Sequence, residues 1–409
     1  MNATTNVVSR YSWLVVAMLW VVAFLNYLDR ILITSMRDPI VAEFSLTDAQ
    51  FGLLTAVFLW SYGIFSPFGG FIADKYSRKK VIVFSVFVWS VVTLWTGYAT
   101  SFQEMLLSRF LMGVSEACYI PAGLALITDY HRGRTRSLAT GLHMSGLYAG
   151  LALGGIGGYI ATYWGWRFGF HIFGAFGVIY AILLLYILKD NKQPAEVEEN
   201  SSESEKITPF SALKALFGET SFYILLFYFA VLGMVNWLVN GWLPTFLKDH
   251  FHLNLGQAGL SATGYIQIGS FIGVIVGGIL ADRWTRKNNK GRIYMVIIGF
   301  TLGAPFLFLM ASTDVFWIAI AAMMVFGLAR GFNDSNLMPI LRQVADGRFI
   351  ATGYGVLNFL STIVGGVMIY VGGALKDADV DLSIIYQVAA VIMLIATWSL
   401  FTIKIKKSN

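Results

Sequence analysis

Gly70-Phe-Ile-Ala-Asp74-Lys-Tyr-Ser-Arg78-Lys79 and Gly278-Ile-Leu-Ala-Asp282-Arg-Trp-Thr-Arg286-Lys287 are one pattern written twice, 208 residues apart from Asp74 to Asp282. Each copy follows an apolar run and ends in a basic cluster. Two further pairs occur in the same order: Gly113-Val-Ser-Glu116 with Pro121 against Gly331-Phe-Asn-Asp334 with Pro339, and Arg136-Ser-Leu-Ala-Thr-Gly141 against Arg348-Phe-Ile-Ala-Thr-Gly353. Their offsets are 218 and 212. Three matches in order identify a duplication, so the 409 residues form two related halves.

Hydrophobic residues make up 57% of the chain and charged residues only 13%, against the roughly 25% charged of a soluble domain. Apolar runs recur from end to end and predict spanning helices over 12–35, 50–73, 79–99, 103–127, 137–161, 167–188, 221–247, 257–281, 292–311, 315–338, 349–373 and 384–403. Each can cross about 30 Å of hydrocarbon. The chain is therefore expected to be an all-α, multi-pass membrane protein. No small-residue cleavage site follows the first run, which reads as a retained helix and not a signal peptide. Between the sixth and seventh runs, Asp190 to Lys206 carries Pro194 and an acidic, Ser-rich stretch too polar to bury. The division expected is a six-helix bundle over 1–189, a linker over 190–215 and a second bundle over 216–409.

Net charge is +6, but the basic residues sit in short loops between apolar runs, not in a nucleic-acid-binding patch. Lys75, Arg78, Lys79, Lys80, Arg132, Arg134, Arg136, Arg283, Arg286, Lys287, Lys290, Arg292, Arg342 and Arg348 fall on one side, against Arg37, Lys248 and Lys376 on the other. The positive-inside rule makes the rich side cytoplasmic, with both termini and the linker. The expected location is the plasma membrane, of the bacterial inner-membrane type. One cysteine, Cys118, excludes a disulfide framework and a cysteine metal site. The chain has no phosphate-binding Gly-x-x-x-x-Gly-Lys loop, no His-Glu-x-x-His and no nucleophile elbow, so no enzyme, cofactor or metal is expected. Any work this chain does across the membrane is not driven by a nucleotide-binding loop of its own.

The repeated Gly-x-x-x-Asp-x-x-x-Arg-Lys loop resembles the cytoplasmic signature of major facilitator transporters. The resemblance implies twelve helices in two pseudo-symmetric bundles, with a substrate site near the midplane between them. In that reading Gly70, Asp74, Arg78, Asp282 and Arg286 latch the halves, each Asp accepting from the adjacent helix end and pairing with its Arg. The alternative is a basic anchor with a tight turn, which needs no Asp. Asn26-Tyr27-Leu28-Asp29-Arg30, Arg109-Phe-Leu-Met-Gly113-Val-Ser-Glu116-Ala-Cys-Tyr-Ile-Pro121 and Met144-Ser-Gly-Leu-Tyr-Ala-Gly150 are similar to the anion:cation symporters, which move sugar acids and related carboxylates with protons. Spinster-like lipid transporters share the helix 1 start and much of helix 4. A proline five residues after the glutamate fits the organic-anion pattern better.

An ionisable group at membrane depth costs at least about 2.5–3.5 kcal/mol, so it is functional and paired by default. Asp29, Arg30, Arg109, Glu116, Arg330 and Asp334 qualify. With helix 1 running outward and helix 4 inward, Asp29 and Arg109 both fall in the outer third and are expected to pair. Glu116 lies two turns deeper on the same helix face as Arg109. Burial disfavours a charged carboxylate and a neighbouring guanidinium favours it, so an arginine that moves between Asp29 and Glu116 can couple a proton to transport. Arg30 is then free to grip a substrate carboxylate with its planar fork, a division of roles the resemblance also implies. The plainer readings are a static ion network and, for Arg30, snorkelling to the outer interface. Arg330 and Asp334 share a face of helix 10 and either pair with each other, complete the site or gate it. Tyr62, Tyr119, His143, Tyr148, Asn236 and Asn358 supply neutral hydrogen-bonding groups for sugar hydroxyls, against the alternative of helix-packing contacts. The working unit expected is a monomer carrying a small organic anion with a proton, or, as the rival, a lysolipid or drug.

Overall fold

The helix starts are written into the sequence by polar residues that accept hydrogen bonds from otherwise unpaired backbone N–H groups. Ser9, Ser77, Ser101, Asn254 and Asp381 each cap a helix, and Thr47 forms a reciprocal capping box with Gln50. The structure, a computed structural model, describes residues 9–131, 135–191, 209–346 and 349–405; the side chains of Asp74, residues 209–212 and Ala351 also stand outside it. Twelve spanning helices result: α1 (Arg10–Phe44), α2 (Asp48–Lys75), α3 (Arg78–Thr96), α4 (Phe102–Tyr130), α5 (Arg136–Trp164), α6 (Trp166–Ile187), α7 (Thr220–Phe251), α8 (Leu255–Thr285), α9 (Gly291–Ser312), α10 (Phe316–Val344), α11 (Ile350–Asp377) and α12 (Leu382–Thr402). Among the described residues there is no strand.

The duplication is visible in packing. In the first half α1 lies on α5, α2 on α4, and α3 on α4 and α6; in the second α7 lies on α11, α8 on α10, and α9 on α10 and α12. It is visible in the backbone too. Ser45, ending α1, and His252, ending α7, both adopt the left-handed conformation, and the caps Thr47 and Asn254 stand at the same spacing.

Three helices depart from the expected outline. Helix α1 runs past residue 35, through a 3-10 turn at Ile33–Met36, to Phe44. Helix α4 breaks after Glu116, because Pro121 has no N–H to give the Ala117 carbonyl. Helix α5 narrows to a 3-10 turn at Gly154–Ile156. Of the expected linker, residues 192–208 lie outside the described residues, while Pro209–Phe217 is a helix that buries Leu216 against the second half. Asp190, at the linker's start, accepts from Lys79 N at 2.8 Å and from Ser77, fixing the start of α3.

The halves meet through α2 with α11 and α5 with α8. At the end opposite the basic loops the contact is backbone to backbone: a Cβ on Gly155 would stand 2.1 Å from the Gly259 carbonyl oxygen, and one on Gly373 2.3 Å from that of Asp48. Ion pairs Lys248–Asp38 and Lys376–Asp48 add to it, and Asp377 accepts from Asp48 N and Ala49 N. At the basic end a Cβ on Gly70, Gly141 or Gly355 would meet nothing within 4 Å. Helices α2 and α11 touch from Asp48 and Gly373 as far as Gly63 and Thr362 and make no such contact at Gly70 and Gly355, so the halves are closed at one end and part toward the basic loops. Gly155→Val is expected to wedge the closed end apart. A cysteine at Ser35, buried against Gly259, on a Cys118→Ser background, should label several-fold faster with a membrane-impermeant maleimide in that variant than in its parent.

Candidate substrate and coupling site

On α1, Asn26 and Arg30 are one turn apart, and Tyr27 is three residues before Arg30, so all three share a face. On α2, Phe58 and Tyr62 have the same spacing. The two faces enclose the Arg30 guanidinium, which lies 4.5 Å from the Tyr27 ring, 4.3 Å from Tyr62 and 5.2 Å from Phe58. Its edge is held by Glu116, at 2.8 Å from Nε to Oε2, and by Asn26 Oδ1 at 2.9 Å. Neither member of the ion pair is exposed beyond 2%.

This corrects the expected pairing. No ion pair among the described residues joins Asp29 to Arg109. Asp29 Oδ2 accepts only a 3.4 Å bond from Thr93, and Oδ1 has no hydrogen-bond partner. Arg109 gives Nη1 to Met112 Sδ at 3.2 Å and leaves Nε and Nη2 buried without acceptors. The cause is the extra length of α1. Arg30 stands 14 residues from the Phe44 end and Glu116 14 residues from the Phe102 start, about 21 Å along each helix. They are level, whereas Arg109 is about 10 Å nearer that face. Arg30 is accordingly neither free nor at the outer interface.

Across the opening, α10 presents Arg330 and Asp334. Their separation is 3.9 Å, Arg330 Nε has no hydrogen-bond partner, and Asp334 accepts from Tyr148 Oη of the first half at 3.1 Å. The rest of this polar run faces inward. Buried Asn333 accepts from Tyr228 at 2.8 Å, and buried Asn336 from Arg292 at 3.2 Å, tying α10 to α7 and α9. Tyr354 on α11 is partly exposed and stands within electrostatic range of Asp334. Asn358 follows it by one turn and, like Asn236 on α7, is half-buried.

Tyr119 and His143 do not join them. The Tyr119 hydroxyl donates to the Leu19 carbonyl at 2.7 Å and meets His143 Nε2 at 2.9 Å, both fully buried inside the first half. Their role there is to lock α1, α4 and α5. In the loop motif, Arg78 pairs with Asp129 on α4 and donates to the Ala125 carbonyl at 3.1 Å, and Asp282 pairs with Arg292, not Arg286. The Asp74 side chain lies outside the description. Asn26 and Tyr27 belong to the helix 1 stretch that carries the resemblance and share the face of Arg30 by helical spacing, whereas nothing local in the sequence marks Phe58 or Tyr354.

Two repeated six-helix bundles, with a charged site between them and an opening at one end, define a membrane transporter of the alternating-access kind. The chain belongs to the Major Facilitator Superfamily, whose sequence profile matches residues 19–369. It is 26% identical over 369 residues to a probable sulfoacetate transporter of Cupriavidus necator, covering 85% of this chain and 84% of that one. A probable galactarate/D-glucarate transporter of Escherichia coli K12 is 23% identical over 383 residues, covering 86% and 85%. Spinster homolog 1 of Xenopus tropicalis is 26% identical over 339 residues, covering 79% of this chain but only 64% of that protein. The fold matches a crystal structure of a bacterial Spinster homologue in an inward-facing, unoccupied conformation, with a TM-score of 0.79, 20% identity, and coverage of 96% and 98%.

Proposed function

We propose that this transporter is a proton-coupled symporter of small organic anions of the sugar-acid type. The observation that carries the reading is the buried Arg30–Glu116 pair inside its aromatic cage. A guanidinium held by a carboxylate is a carboxylate site already occupied. A proton on Glu116 removes the competing charge and frees the fork for the substrate, so proton and anion enter together. When both have left, Glu116 recloses on Arg30. Asp29, next to Arg30 in the chain, and Arg109, two turns from Glu116 on the same helix, each keep a buried polar atom without a partner and take up the proton and charge rearrangement as the halves rock. By the positive-inside rule the basic end faces the cytoplasm, which makes the opening inward and the glycine-packed end the outer gate. The polar and aromatic lining of Arg30, Arg330, Tyr62, Tyr148 and Asn358 supports a compact anion over a long acyl chain.

A thermal-shift screen of the purified protein checks the class, because a ligand that binds only the folded state raises its melting temperature. Aldonates, aldarates or sulfoacetate should stabilise it and lysophospholipids should not. Stabilisation by lysolipid alone would favour the Spinster-like alternative.

A further inference from the structure

A single-carboxylate substrate needs one guanidinium, yet the opening is bordered by two. Arg30 comes from the first half and Arg330 from the second. The Tyr27 ring stacks on Arg30 at 4.5 Å and stands within electrostatic range of Arg330. The two arginines are held differently. Arg30 is fully engaged by Glu116 and Asn26. Arg330 is not: its one acidic neighbour among the described residues, Asp334, stands at 3.9 Å, beyond hydrogen-bonding distance, and already accepts from Tyr148 at 3.1 Å and the Asn333 amide at 3.2 Å. Arg330 Nε is buried with no acceptor, although leaving a charged donor unpaired is among the costlier things a fold can do.

The charge count points the same way. Arg30, Arg109 and Arg330 face Asp29, Glu116 and Asp334, so the fully ionised site is neutral. Protons on Asp29 and Glu116 leave two net positive charges on the first half, and on the second half Arg330 is opposed only by Asp334, whose carboxylate is already taken by Tyr148 and Asn333. We infer that Arg330 is a second anion-binding residue and that the substrate is a dianion, one acidic group on Arg30 and the other on Arg330, spanning the two halves. This rests on the organic-anion reading above and narrows it. A substrate that bridges the halves draws them together, which an anion gripped from one side does not.

Binding of two probes differing in a single terminal group tests it: galactarate, with two carboxylates, and galactonate, with one. Wild-type protein is expected to bind galactarate more tightly than galactonate by about tenfold or more, the worth of one charge-assisted contact. Arg330→Gln should bring the two dissociation constants together. Arg330→Lys, which keeps the charge but not the fork, should retain part of the preference and controls for folding. A wild-type preference for galactonate, or loss of both ligands in equal proportion in Arg330→Gln, overturns the dianion assignment while leaving organic-anion transport standing. Failure of wild type to bind galactarate, galactonate and sulfoacetate, with lysophosphatidylcholine bound instead, overturns both.

Discussion

Arg30→Ala is expected to lower substrate affinity by at least about a hundredfold, because a charge-assisted, two-pronged contact in a buried site contributes on the order of 3 kcal/mol. The caged geometry makes the loss specific. Tyr27 and Tyr62 clamp the guanidinium faces and leave only its edge to bond, so a carboxylate must approach in the plane where Glu116 now sits. Arg30→Lys should recover little of the affinity: an ammonium fills neither the stack nor the fork. It also serves as the insertion control, since it keeps a cation beside Glu116. Isothermal titration against the best ligand from the screen measures both variants, and near-normal affinity in Arg30→Lys would remove Arg30 from the substrate site.

Much of this architecture is legible in the chain before any coordinates. Apolar runs give the spans, and the Asp74/Asp282 repeat gives the two halves, because lipid forces every spanning segment to satisfy its own backbone. The site is half legible. Burial of charge marks Asp29, Arg30, Arg109, Glu116, Arg330 and Asp334, but their partners depend on depth, and depth depends on where helices end. Carrying α1 from residue 35 to Phe44 sets Asp29 and Arg30 level with Glu116 and leaves Arg109 about 10 Å away, and of the two neighbours it is Arg30 whose helix face meets Glu116. The neutral residues are less legible still, since Tyr119 and Tyr148 look alike in sequence. One is spent on the Leu19 carbonyl and the other crosses to Asp334. The Phe58 wall of the cage comes from another helix altogether, and no local signal announces it.

Glu116→Gln is the second large effect expected. The amide keeps the shape of the carboxyl and can still neighbour Asn26, but it carries no charge to hold Arg30 and no proton to release. Removing one member of a buried pair costs about 3–5 kcal/mol where the other charge is left uncompensated, so this variant should be less stable without ligand and gain more from ligand than wild type does. The part of its substrate affinity that depends on freeing Arg30 from Glu116 should no longer vary with pH, because Arg30 is permanently available. The most direct test of the central claim reconstitutes both proteins in vesicles and follows a labelled sugar acid two ways. With unlabelled substrate inside, wild type and Glu116→Gln should both show counterflow; with an acidic exterior and no internal substrate, wild type should accumulate the anion and Glu116→Gln should not. Full proton-driven accumulation by Glu116→Gln would contradict the account and move the coupling to Asp29 or Asp334.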